Sequence, residues 1–280
     1  MNDIWTRVTA EPWLEPKGNV EASLAGDARK YKDPQFIVKW EVLWHVIQRY
    51  LPSDRSTPVL DLGGGSGVWT LRIAGAGHPV LFTEISLENC ALARHKAESA
   101  GLTHRIEFGV ANLPDLSQFA SSSFPLVLAV GNPLGLCGVT EQALREVERV
   151  TRGQGILIGE VENRYRHLGH YLRTQSWTDT KRLAYEGIGR RPYAGGVMPH
   201  REFTSHEIRA LLEEAGWEVL EMYPTRLVDL FLPQKYWQQA IDQTGDLSEV
   251  IELENHMRKD PDLLGCGTEI QFVARKMASS

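Results

Sequence analysis

The sequence predicts an α/β protein: a doubly wound, mostly parallel, seven-stranded sheet with helices on both faces, an N-terminal helical lid and inserted segments. Three observations predict it. Short apolar runs at 59–62, 80–83, 106–110, 126–130 and 156–161 alternate with helical patterns. A glycine-rich turn follows the first run. A further helix and two more apolar runs, 217–223 and 269–274, close the chain. Strands that alternate with helices pair in parallel and bury both sheet faces.

The elements follow from local chemistry. Asp33-Pro34 suits an N-cap and first helical residue, and Phe36, Ile37, Trp40, Leu43, Trp44, Ile47 and Leu51 recur at helical spacing. The loop from Pro52 to Pro58 marks a boundary, so residues 1–52 are expected as a lid and 53–280 as the main domain. Val59–Leu62 is the first strand, and a helix near Val68–Ala74 follows it. Ser86 caps a helix that Gly101 stops, and Thr140 is placed to cap another running to Val150. Thr204-Ser205-His206-Glu207 reads as a capping box, and Gly216 ends the helix behind it. Inserted segments are expected near 162–203 and 232–267. The first reads as one helix and an irregular connection with a turn at Gly195-Gly196, the second as two helices broken near Gly245.

Composition narrows the function. The 280 residues carry a net charge of −6, which offers no global positive field for phosphate backbones. Nucleic acid is therefore not the expected general partner. Cys90, Cys137 and Cys266 lack metal-site or disulfide-frame spacing, and no metal site is expected. Met1–Pro16 carries three acids and no continuous apolar run, so it is not read as a signal peptide. No stretch is apolar enough to span a bilayer, and a cytoplasmic protein without membrane partners is expected, as monomer or homodimer.

The run Val59-Leu60-Asp61-Leu62-Gly63-Gly64-Gly65-Ser66-Gly67 joins the first strand to a helix. Lack of a Cβ lets the turn tighten and a ligand approach the backbone. Glu84 ends the next strand, 21 positions after Gly63, near the spacing of an acid that accepts from ribose hydroxyls. Together these point to an adenosine-containing ligand. The spacing G-x-G-x-G differs from the dinucleotide G-x-G-x-x-G, and no Lys follows to make a phosphate cradle. Asp61 would repel a pyrophosphate and favour a cationic ligand, directly or through water. The charge argument thus favours S-adenosylmethionine over NAD.

The run VLDLGGGSG, the strand ending in Thr83-Glu84, and Phe203–Trp217 with its capped helix resemble the class I methyltransferases that use S-adenosylmethionine, from about Val59 to Tyr223 and again at Glu269–Ala274. The resemblance implies a sheet with one antiparallel strand. It implies that Gly63 and Gly65 lie under the methionine and ribose, Glu84 holds the ribose hydroxyls, Ile85 flanks the adenine and Gly131 lies near the methionine amino group. Tyr31 resembles an N-terminal tyrosine that closes over the cofactor. The usual Gly-Asp-Ala after the third strand is here Gly109-Val110-Ala111-Asn112, so Asn112 or the Ala111 backbone is expected to serve the adenine.

The acceptor is expected to be a small molecule methylated at N, O or C by in-line displacement. His170 and His200 are the first choices for a general base, since an imidazole titrates near neutrality. Tyr165, Tyr193 and Arg201 are candidates to hold the acceptor, and Arg201 suits a carboxylate. Three alternatives stand beside this: an RNA acceptor, because Arg164–Arg201 holds several Arg and His residues; an NAD-binding oxidoreductase; and a cofactor-binding protein without methyl transfer.

Overall fold

The computed structural model describes residues 29–30, 32–193 and 196–278. Its central sheet has the order β3-β2-β1-β4-β5-β9-β8, built from β1 (Val59–Leu62), β2 (Val80–Thr83), β3 (Ile106–Gly109), β4 (Phe124–Ala129), β5 (Thr151–Glu162), β8 (Trp217–Thr225) and β9 (Glu269–Lys276). The pairs from β3 across to β5 are parallel, and β9 runs antiparallel to both β5 and β8. This is the expected sheet with one antiparallel strand. The sheet order reverses beside β1, with β2 on one flank and β4 on the other, so the β1 loop opens at a topological switch point.

Both faces are covered, which is why β1 and β2 are buried at every residue. One face packs against α1 (Pro34–Tyr50), α2 (Val68–Gly75) and α3 (Leu87–Ser99) through Leu43, Val46, Ile47, Trp69, Ile73, Ala93 and Ala97. The other packs against α5 (Thr140–Val150) and α8 (Ser205–Glu214) through Leu144, Val147, Ile208 and Leu212. A short α4 (Pro133–Leu136) precedes α5. The caps follow local chemistry: Asp33 accepts from Gln35 N, Ser86 accepts from Asn89 N, and Thr204 and Glu207 form the reciprocal capping box. Thr140 behaves differently. It is the first residue of α5 rather than its cap, because its hydroxyl donates to Leu134 O instead.

One expectation about the insertions changes. Residues 164–201 hold two helices and a hairpin: α6 (Arg164–Thr174), α7 (Trp177–Glu186), β6 (Ile188–Tyr193) and β7 (Gly196–Arg201). Of the expected Gly195-Gly196 turn, Gly195 lies outside the described residues. Residues 232–267 do hold two helices, α10 (Trp237–Thr244) and α11 (Ser248–Met257), after a short α9 (Val228–Phe231), and Gly245 breaks the pair at φ +85°. Val228, Trp237 and Val250 from this region bury Val38 and Val42 of α1. The helix expected in a lid is therefore wedged between the sheet and α10–α11. Among the described residues, no helix is long and apolar enough to cross a membrane.

Candidate functional site

The glycine loop, the end of β2, the turn after β3 and the turn after β4 enclose a cavity of about 730 Å³ at the C-terminal edge of the sheet. Gly63, Gly65, Glu84, Ile85, Ala111, Asn112 and Gly131 all line it. These residues are far apart in sequence, yet each follows one of four neighbouring parallel strands, which is why they meet. Gly65 and Gly131 have φ of +55° and +88°, and a Cβ on either would meet no atom within 4 Å. Both present bare backbone to open space, the cradle a close-fitting ligand requires.

Glu84 is held by the loop it faces. Its Oε2 accepts from Gly65 N at 2.9 Å, and its Oε1 accepts from Ile85 N and Ser86 N at 2.8 and 3.0 Å. The carboxylate keeps lone pairs for further donors, as two ribose hydroxyls would supply. The residues present thus fit an adenosine ligand: a fixed acid, a bare loop and room beside them.

Asp61 stands apart from the other loop residues. It is buried beneath the loop, does not line the cavity, and accepts from Thr70 Oγ1 at 2.5 Å. Burial, reinforced by the charge of Glu84 and opposed by the Thr70 hydrogen bond, pushes its carboxyl up to about 6. Its contact with a cationic ligand is not direct in this geometry; it braces the loop from behind. Tyr31 lies outside the described residues. Lys30, one position earlier, lines the cavity, as does Arg191 from β6, which sequence reasoning missed.

The acceptor-side candidates scatter. Tyr165 is 58% exposed. Tyr193 lies in β6, with its side chain outside the described set. Arg201 pairs with Glu141 at 2.7 Å and lies over the Phe203 ring. His170 lines a separate cavity of about 370 Å³.

His200 is the largest departure. It does not line the first cavity and is only 7% exposed. Its Nε2 lies 2.7 Å from Glu162 Oε2 and 3.1 Å from Glu202 Oε1. Burial alone would depress the imidazole, but the two carboxylates outweigh it and push it up to about 9. A group protonated at neutrality is a poor proton acceptor, so this geometry makes His200 a charged tie rather than a base. Glu202 also accepts from His167 Nδ1 at 2.8 Å, and Arg191 pairs with Glu162 at 3.6 Å. Glu162, His167 and Glu202 hold their ligand atoms within 4.8 Å of one another, a grouping able to hold a metal ion that the sequence spacing did not suggest.

A second charged cluster sits at the end of β5. Lys39 of α1 lies 2.5 Å from Glu160 and 3.0 Å from Glu269. Burial would lower its pKa, yet the two carboxylates hold it above the usual lysine range. Its sequence signal was a lysine on the apolar face of α1, three residues after Phe36 and four before Leu43.

A nucleotide cradle at a switch point of a 3-2-1-4-5-9-8 sheet defines a class. Residues 59–155 form a methyltransferase domain in a class I, Rossmann-like fold, the kind of enzyme whose methyl donor is S-adenosylmethionine. The family described as a methyltransferase domain matches residues 59–155, the stretch from β1 into β5. Among curated proteins, the tRNA 5-carboxymethoxyuridine methyltransferase of Escherichia coli K12 is 24% identical over 242 residues, covering 85% of this chain and 88% of that one. A SAM-dependent methyltransferase structure from Methanosarcina mazei aligns with TM-score 0.59 at 22% identity, over 84% of this chain and 98% of that chain. A putative S-adenosylmethionine-dependent methyltransferase from Listeria monocytogenes aligns with TM-score 0.60 at 16% identity, over 86% and 99%. At these identities the two structures speak for the fold.

Proposed function

We propose that the chain methylates an N, O or C atom of a small organic acceptor, which binds between the cofactor cavity and the inserted segments. The observation that carries this reading is the cavity wall itself. Lys30 from the N-terminal segment and Arg191 from the β6–β7 hairpin complete a wall otherwise made by the sheet edge. Segments 1–52, 162–203 and 232–267 act in this reading as a cap over a confined acceptor.

S-adenosylmethionine supplies an electrophilic methyl on a sulfonium that a nucleophile displaces in line. The chain's own task is to hold both partners. Glu84, fixed by three backbone N–H groups, anchors the ribose hydroxyls. Gly63 and Gly65 would bring the loop backbone against the methionine and ribose, and Gly131 would lie beside the amino group. Ile85 would flank the adenine, and Asn112 or the Ala111 backbone would serve it. Alignment of this kind is worth effective molarities of about 10⁵ to 10⁸ M. The cap excludes water from the line of attack.

A second reading, an RNA acceptor, has its own support. Residues 164–201 carry eight Lys and Arg against two Asp and Glu, in a protein that is acidic overall. Trp177 and Tyr185 on α7 are 66% and 80% exposed beside these charges, and exposed aromatics among cations suit bases and phosphates. The Escherichia coli relative is named for a tRNA substrate.

The test is calorimetric titration with S-adenosylhomocysteine on wild type and Glu84→Ala, with NAD as control. Wild type binds, the variant loses about a hundredfold or more through its charge-assisted hydrogen bonds, and NAD stays silent. Equal binding by wild type and variant would remove Glu84 from the site. Labelled-methyl transfer to a metabolite panel and to bulk tRNA then separates the two acceptor readings.

A further inference from the structure

The second cavity, of about 370 Å³, is not used by the cofactor assignment. Gln35 at the start of α1, four residues of α6, Arg226 and Asp229 after β8, and Thr268 before β9 line it. The sheet register pairs Glu162 with Glu269 and Glu269 with Thr225, so these elements reach the same C-terminal edge as the cofactor cavity. β4, which leads to Gly131, and β9, which follows Thr268, are separated by β5 alone. At about 4.8 Å per strand, β4 and β9 lie on the order of 10 Å apart along that edge, the span of a small acceptor.

The chemistry of the cavity is cationic. Arg166, His170 and Arg173 fall on one face of α6 at spacings of four and three, with His167 beside them. The one carboxylate in the wall among the described residues, Asp229, is taken by Arg226 Nε at 2.5 Å, while Arg226 Nη2 donates to Gln35 Oε1 at 3.0 Å. Arg226 adopts φ +60°, uncommon for a residue with a side chain. Glu202, the acid next to His167, is already shared between two imidazoles, so it adds no free anion to the wall. Arg166 and Arg173 have no acidic partner among the described residues. Arg166 Nε is shielded from solvent and lacks a hydrogen-bond acceptor. A shielded donor without an acceptor is destabilising, and an anionic oxygen in the cavity would relieve it.

We propose that this cavity binds the anionic group, a carboxylate or a phosphate, of the methyl acceptor. The proposal deepens and rests on the acceptor reading above. Arg166 and Arg173 hold the oxygens, Arg226 is kept in place by Asp229 and Gln35, and the acceptor's nucleophile extends over β5 toward the cofactor cavity. His170 then lies beside the anion as a further donor.

The test uses the full chain saturated with S-adenosylhomocysteine, titrated separately with succinate and with inorganic phosphate. Wild type binds at least one, and the preferred probe tells carboxylate from phosphate. The double variant R166Q/R173Q weakens that binding about tenfold or more, and Arg173→Gln alone, at an exposed position, weakens it less. Cofactor affinity stays at the wild-type value in both. Anion binding that is equal in wild type and the double variant, or absent from wild type that binds S-adenosylhomocysteine normally, overturns the proposal. Failure of S-adenosylhomocysteine to bind would strike the cofactor site instead, and the anion titration would still read this cavity.

Discussion

The C-terminal edge of the sheet is built by two opposite means. Over β3-β2-β1-β4 the cavity wall is glycine loop, small residues and apolar side chains, with Glu84 as the one acidic side chain among the described residues. Over β5-β9-β8 the structure is held by buried charge: Lys39 with Glu160 and Glu269, then His200 and His167 with Glu162 and Glu202. The first region is specified by short motifs, because a positive φ and a strand-end acid are local properties. The second is specified by pairs distant in sequence; Lys39 and Glu269 are 230 residues apart. The cofactor cradle is therefore set mainly by its own strand ends, with Lys30 and Arg191 added from outside them, while the cap side needs the whole chain assembled.

That contrast predicts where substitutions act. The largest effect is expected at Lys39→Met, which leaves Glu160 and Glu269 facing each other without a cation. Breaking a buried pair costs about 3–5 kcal/mol, read as a lowered midpoint in denaturant. A loss under about 1 kcal/mol would show that α1 is held by its apolar face alone. Glu202→Gln comes next, since it removes the acid shared by two imidazoles. It should lower the thermal midpoint clearly while S-adenosylhomocysteine affinity stays within about twofold of wild type. A matching fall in cofactor affinity would mean that the two regions are coupled through Arg191.

Gly65→Val should show the reverse pattern. A branched side chain at φ +55° costs about 1–2 kcal/mol of stability, and its methyls enter the cofactor cavity. Cofactor affinity should fall by more than about tenfold while the fold persists. The pH dependence separates the regions again. His200 has a folded pKa of about 9, above the ordinary 6.5, so the stability it contributes is complete below about pH 6.5 and is lost as pH rises through 9. Hydrogen exchange in β6 and β7 should accelerate across that window, and His200→Gln should flatten the response. The smallest effect is expected at Arg201→Ala. Its pair with Glu141 is partly exposed, so a stability change of no more than about 1 kcal/mol should be seen. An acceptor KM that rises sharply would return Arg201 to the binding site.

Much of the cofactor side was legible in the sequence. Apolar runs gave β1 and β2 at their observed bounds, and Ser86, Thr204-Glu207 and Gly245 marked helix ends that the structure contains. The hairpin was not legible. Ile-Gly-Arg-Arg-Pro-Tyr and Gly-Val-Met-Pro-His-Arg lack the apolar alternation that marks a half-buried strand. What these strands bury includes the charged pair His200 and Glu202, two positions apart on one face of the extended chain. His200 was read as a base because the sequence shows an imidazole and not the carboxylates beside it. A pKa depends on partners that only folding supplies.

The sequence by itself determined the α/β class, the order of the strands and helices of the central sheet, and the glycine loop with its distant acid, because periodicity, caps and turn chemistry act within a few residues. The tertiary structure decided which histidines are tied to carboxylates, that Asp61 braces the loop from behind rather than lining the cavity, and that four arginines divide between two cavities. Those outcomes depend on burial and on charges brought together from opposite ends of the chain, and electrostatic energies follow distance in space rather than distance in sequence.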